Sequence, residues 1–229
     1  MSDGDATGEG RVTGVAGRTV LLAGGTSEAG RVAAQVLTAA GAHVIIAARD
    51  EVALGTLRET LPGIRTQRCD LTDETAVHDL GERVGALDGV LHLVGGWRGG
   101  GGLTGQTEGD FRALETSLTA LRHVSRAFDP TLRDSDAART AIVSSTAVTR
   151  PLAGGANYAA VKAAAEAWNR AVAHGFAKHA RDAGEPLRAA AVTYRVKALA
   201  GREFALADAF ARLWDDDAAA VNDTVVTLG

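Results

Sequence analysis

The sequence predicts an α/β fold in which a parallel sheet is doubly wound, with helices on both faces. Three observations predict it. Short apolar runs of strand length alternate along the chain with segments of helical periodicity. The first run opens into a glycine-rich turn, Gly24-Gly25-Thr26-Ser27-Glu28-Ala29-Gly30, and a helical segment follows at once. The chain has 229 residues, 46% of them hydrophobic and 23% charged, which suits one α/β domain with a sizeable core.

The elements follow in order. Arg18–Ala23 is a buried strand feeding the glycine turn, and Arg31–Ala40 is a helix with Gly41 as its C-cap. His43–Ala48 is the second strand, and Asp50 caps a helix over Glu51–Leu61. Ile64–Cys69 is the third strand, with Asp70 and Leu71 at its end, and Asp73–Val84 is a polar helix. Leu87–Val94 is the fourth strand. It opens into Gly95-Gly96-Trp97-Arg98 and four further glycines, a segment free enough to move as a lid, with Trp97 and Arg98 extending toward a substrate. Phe111–Phe128 has helical periodicity and stops at Pro130. Thr140–Ser145 is the fifth strand, Tyr158–His179 a long helix, Leu187–Tyr194 the sixth strand, Glu203–Leu213 a helix and Thr224–Leu228 a final strand. Only Val196 to Arg202 separates the sixth strand from its helix, so the pocket there is expected to be open or to be completed by the glycine loop at Trp97 or by a neighbouring subunit. Residues 1–16, acidic and glycine-rich, read as a disordered tail before a single domain over 17–229.

Composition excludes several classes. A formal net charge of −4 and the absence of any Lys/Arg run argue against a nucleic-acid partner. The single cysteine, Cys69, rules out an intrachain disulfide. No apolar stretch has the length of a membrane span, and the start lacks a basic n-region and an apolar h-region, so a cytoplasmic location is expected. No metal site is expected.

The chemistry concentrates on Ser145, Tyr158 and Lys162. Tyr158 and Lys162 stand four residues apart, on one face of a helix. An ammonium beside a phenol favours phenolate, so the tyrosine pKa is expected to fall and proton transfer near neutral pH to become possible. Ser145 ends a strand, where its hydroxyl can hydrogen-bond a substrate oxygen. The glycine turn makes a phosphate-binding corner, since helix N–H groups point at an anion and glycines let backbone approach it. At the end of the second strand Ala48 leaves the ribose-binding acid position empty, and Arg49 follows directly, which suits a 2′-phosphate.

With these motifs in order, the chain resembles the short-chain dehydrogenase/reductase family from about Gly17 to Leu228. Gly24 to Gly30 sits where the family has its TGxxxGxG loop, Cys69-Asp70-Leu71-Thr72 looks like the adenine-contacting segment, and Val94-Gly95-Gly96 lies where NNAG is usual. Ser145, Tyr158 thirteen residues on, and Lys162 reproduce the family's serine and YxxxK spacing. The resemblance implies a Rossmann-type fold, a nicotinamide dinucleotide and a small-molecule substrate. Tyr158 resembles the general acid, Lys162 the residue that lowers its pKa and holds the nicotinamide ribose, and Ser145 the one that positions the carbonyl. Ser117 stands for the helix asparagine of the proton relay. Gly24, Thr26, Ser27, Ala29 and Gly30 would cradle the pyrophosphate. Asp70 and Leu71 would meet adenine, and Val94, Gly95 and Gly96 the adenosine ribose. Arg49 is similar to the basic residue that selects NADP(H) over NAD(H).

The departures are Glu28 for the middle glycine, Leu93 and Val94 for the asparagines, and Tyr194-Arg195 for the Pro-Gly after the sixth strand. A carboxylate beside a pyrophosphate is unfavourable unless it turns away. The leading reading is an NADP(H)-dependent carbonyl reductase acting in either direction. The alternatives are a non-redox cyclase, dehydratase or isomerase using the same set, and a dinucleotide sensor without turnover. In the resembled family the two long helices pair between subunits, so a homodimer or homotetramer is expected.

Overall fold

The computed structural model describes residues 14–229. Its elements, in chain order, are β1 (Thr19–Ala23), α1 (Glu28–Ala39), β2 (His43–Ala48), α2 (Glu51–Thr60), β3 (Arg65–Arg68), α3 (Glu74–Val84), β4 (Gly89–His92), α4 (Glu108–Asp134), β5 (Arg139–Ser145), α5 (Ala156–Ala183), β6 (Ala190–Val196), α6 (Glu203–Ala211), α7 (Ala218–Val221) and β7 (Val225–Thr227). Of the expected tail, residues up to 13 lie outside the described part, while Val15 is buried against the core.

All seven strands pair in parallel, in the order β3-β2-β1-β4-β5-β6-β7. Alternation along each inner strand separates two cores. Val20 and Leu22 of β1 join Val44 and Ile46 of β2 beneath α1, α2 and α6, whereas Leu21, Ala23, Ile45 and Ala47 face α3, α4 and α5. The order reverses between β1 and β4, which leaves a crevice beyond their C-terminal ends, where ligands bind in open α/β sheets. Among the described residues no helix is long and apolar enough to cross a membrane.

Helix starts follow local capping. Asp50 accepts from the amides of Val52 and Ala53, and Asp73 from those of Thr75 and Ala76. Ser27 caps α1 by accepting from the Gly30 amide at 3.3 Å. The helix therefore begins at Glu28, three residues before the expected start at Arg31, and the second half of the glycine turn is its first turn.

Pro130 does not end α4, contrary to expectation; the helix continues to Asp134. A proline inside a helix removes one i→i−4 hydrogen bond and costs about 3 kcal/mol. Phe128 and Leu132, one on each side of it, are buried in the sheet-side core, and burying such side chains contributes about 1.5–3 kcal/mol each, enough to offset the break. Leu132→Ala is therefore expected to lower unfolding free energy by about 2–5 kcal/mol in a denaturant titration. A loss below about 0.5 kcal/mol, typical of an exposed residue, would contradict a helix that docks beyond the proline.

Candidate active site

The crevice at the strand ends opens into a cleft of about 1100 Å³. Ser27, Gly95 and Gly96 line it from the β1 and β4 side, and Ser145, Tyr158 and Lys162 from the β5 and α5 side.

The glycine corner is close-packed. A Cβ on Gly30 would lie 2.1 Å from the Gly25 carbonyl oxygen, so only glycine lets the first turn of α1 settle on the loop. Gly24 has φ +80°, and a Cβ there would meet Val94 Cγ2 at 2.7 Å. Val94, in place of a family asparagine, thus packs the end of β4 on the end of β1. Glu28 is drawn aside by Arg31, whose Nε donates to Oε2 at 2.9 Å and whose Nη2 donates to Oε1 at 2.5 Å. That hydrogen bonding holds the Glu28 carboxyl below its usual range. Thr26 is half-buried and Ala29 buried beside it. Asp70 accepts from the Thr72 amide at 2.9 Å and hydroxyl at 2.7 Å, which lowers its pKa, with a smaller contribution from the nearby Arg49 charge. Leu71 is buried, and Arg49 is exposed with no ion pair or hydrogen bond among the described residues. The cradle that side chains would fill, and the displaced Glu28, fit a dinucleotide.

Around Ser145, Tyr158 and Lys162 the polar atoms are committed in a definite order. Ser145 is the last residue of β5, buried, and its Oγ accepts from the Ala147 amide at 3.1 Å. Lys162 Nζ donates to the Val143 carbonyl at 2.8 Å, and a Cβ on Gly95 would lie 3.4 Å from that Nζ. Desolvation pulls the Lys162 pKa down to about 8, and Glu166, one turn further along α5, pushes it back up. The Tyr158 phenol is raised above its ordinary value by burial, and a hydrogen bond with Ser145 opposes this. This corrects the expected fall in the tyrosine pKa. Lys162 Nζ lies 5.8 Å from the Tyr158 ring centroid, but its hydrogen bond goes to Val143 and its own charge is weakened by burial. The phenol is therefore protonated at neutral pH and set up as an acid.

Ser117 is not brought to the cleft. Its Oγ donates to the Leu114 carbonyl within α4 at 2.7 Å, and its own carbonyl lies 3.3 Å from His92 Nε2. His92, buried at the end of β4, has no partner at Nδ1. Burial first and the Lys162 charge second hold its pKa down to about 4, so the ring is neutral. Arg195, at the position of the family's Pro-Gly, turns back into the protein. Its Nε and Nη2 donate to Glu166 at 2.8 and 2.6 Å, and Ser144 Oγ donates to the same carboxylate at 2.6 Å. Tyr194 points to the other face, donating to the Ala209 carbonyl at 2.9 Å.

The loop after β4 is clamped, which corrects its reading as a free lid. The Gly100 amide donates to the Gly154 carbonyl at 2.7 Å, and a Cβ on Gly99 would lie 2.3 Å from that same oxygen. Gln106 Nε2 donates to the carbonyls of Gly100, Gly102 and Gly154 at 3.0, 3.2 and 3.1 Å, and its Oε1 accepts from the Asn157 amide at 3.2 Å. The N-cap of α5, Gly155, has no side chain to offer, so a residue from the loop satisfies that helix start. Trp97 lines the cleft as expected. Arg98 does not; its Nη1 lies 3.9 Å from Asp110. Sequence reasoning missed His92, Glu166 and Gln106. Only Glu166 left a signal, being four residues beyond Lys162 on the same helix face.

Comparison with known proteins shows the family and the fold. The family model for short chain dehydrogenase matches residues 18–181, and the chain belongs to that family. L-xylulose reductase from Mesocricetus auratus is 37% identical over 75 residues, a match spanning 33% of this chain and about a third (31%) of that reductase. A short-chain type dehydrogenase/reductase from Mycobacterium ulcerans superposes with a TM-score of 0.79 at 20% identity, covering 94% of this chain and 89% of that one. A metagenomic short-chain oxidoreductase in complex with NADP gives a TM-score of 0.79 at 22% identity, covering 94% and 98%.

Because Lys162 is charged only below about pH 8, a reduction that uses the ammonium is expected to lose kcat/KM as pH rises through that value. Glu166→Gln removes the group that pushes the lysine upward and should move this falling limb to lower pH. An unmoved limb in the variant would show that Glu166 acts on folding alone.

Proposed function

We propose that the protein is an NADP(H)-dependent carbonyl reductase, working in reverse as an alcohol dehydrogenase on a small molecule. The single observation that carries the reading is the convergence of Ser145, Tyr158 and Lys162 on the cleft that Ser27, Gly95 and Gly96 also line. When bound, the dinucleotide supplies hydride to the carbonyl carbon. Ser145 orients the carbonyl oxygen, and Tyr158 donates its phenolic proton to that oxygen as negative charge develops there. Lys162, held by Val143, offers its charge to the phenolate left behind and to the nicotinamide ribose. In the oxidative direction the same phenolate takes the proton back. The match of the short chain dehydrogenase family model over residues 18–181 and the name of the Mesocricetus auratus relative, a reductase, support this assignment.

Tyr158→Phe is expected to lower kcat by at least about a hundredfold with dinucleotide affinity nearly unchanged, because the lost group works on the proton. Carbonyl reductase assays with NADPH and a titration of NADP+ binding measure both, and wild-type kcat in the variant would remove Tyr158 from the mechanism.

Arg49 supports NADP(H) over NAD(H), being exposed at the end of β2, close enough to Asp70 for its charge to be felt there. Arg49→Asp should shift the ratio of kcat/KM values toward NAD(H), since it replaces a phosphate partner with a ribose acceptor. A ratio that stays in place makes Arg49 a plain surface residue.

A homodimer is proposed through α4 and α5. Ala160, Ala163, Ala164, Ala167 and Ala171 are exposed along α5, and small residues let helices approach closely. Sedimentation at micromolar concentration is expected to show a dimer or a tetramer built from it; a monomer would contradict the pairing.

A further inference from the structure

Several arginines of the surface are ion-paired. Arg31 pairs with Glu28, Arg58 with Glu51, Arg112 with Glu108, Arg126 with Glu74 and Arg212 with Asp208. The chain as a whole carries a formal net charge of −4. Yet the cleft is lined by Arg150, Lys162 and Lys197 and, among the described residues, by no aspartate or glutamate. Lys162 is committed to Val143 and has Glu166 as its nearby carboxylate. Arg150 and Lys197 are exposed, and neither has a hydrogen bond or ion pair among the described residues.

We infer that the substrate is an oxo acid whose carboxylate is bound by Arg150, with an apolar body lying against Trp97 and Leu152. The inference rests on the carbonyl-reductase reading and adds the class of carbonyl compound to it. Arg150 follows Ser145 by five residues, on the connection between β5 and α5. Pro151 comes next and disfavours helical backbone at Arg150, which narrows the backbone conformations open to that turn. Trp97 and Leu152 line the same cleft and are 66% and 70% exposed, large apolar surfaces with nothing over them. The two walls touch, since a Cβ on Gly99 would meet both Trp97 Cζ2 and the Gly154 carbonyl oxygen. A guanidinium fork matches the two oxygens of a carboxylate, and one positive charge balances one acid group. Lys197 directly follows Val196, the register partner of Ser145, and lines the same cleft, so K197Q serves as the control for Arg150.

The test uses the full chain and two probes, benzoylpropionate and its methyl ester. They share the ketone and the aryl body and differ in the acid group. NADP+ binding is first titrated by itself. A chain that binds no dinucleotide sinks the reductase reading, while the comparison of acid with ester is still made by calorimetry. The expected result is that wild type binds the acid about tenfold more tightly than the ester, and that R150Q brings the two within about twofold. NADP+ affinity and melting temperature should hold in R150Q, because Arg150 is exposed and supports nothing else. Equal binding of acid and ester by wild type, or no binding of either, overturns the inference. So does a preference that survives R150Q and collapses in K197Q.

Discussion

Keeping one ammonium charged where burial disfavours charge is the constraint on which the cleft depends. Lys162 sits beside Tyr158 and against Gly95, just beyond β4, and that place removes it from water. Three features meet the demand. The Val143 carbonyl accepts its hydrogen bond, Glu166 stands one helical turn away, and Arg195 and Ser144 hold that carboxylate from behind. The strand that ends in Ser145, the helix that carries Tyr158 and the strand that ends in Val196 are thus tied to one another through the needs of a single charge. Arg195 belongs to that network, which accounts for a long cationic side chain where the family has a glycine.

Much of this was legible in the residues alone. The Ser145, Tyr158 and Lys162 spacing is a matter of local periodicity, and β5 and α5, which carry it, form where the pattern places them, whereas β6 starts at Ala190, three residues later than expected. What was hidden depends on contacts between segments far apart in the chain. The phenol's acidity is set by how deeply the ring is buried, which no spacing reports. Pro130 looks like a stop signal because the rule for proline is local, while the burial of Phe128 and Leu132 that carries the helix through it is not. His92 reads as one more residue of a strand. Only its packing reveals that it takes the Ser117 carbonyl and leaves a bare nitrogen in the interior.

The departures from the family pattern divide in the same way. Glu28 is answered within its own helix by Arg31, three residues on, a relation already present in the sequence. Val94 is answered across the sheet, by a glycine at the end of another strand whose missing Cβ leaves room for its methyl group. One substitution is compensated by electrostatics and the other by shape. In both cases the loop retains room for an anion at the start of α1.

Gln106 has a consequence for how such a chain can be inherited. One amide group joins the segment after β4 to the first turn of the helix bearing Tyr158. The wall of the cleft and the frame of its chemistry therefore form a single heritable module. Recombination that swaps the Trp97 segment for a relative's would strip the helix of its adopted cap unless a matching amide came with it. Variation in what the cleft accepts is then cheapest on the opposite connection, around Arg150 and Leu152, where side chains face the cleft without holding the scaffold together.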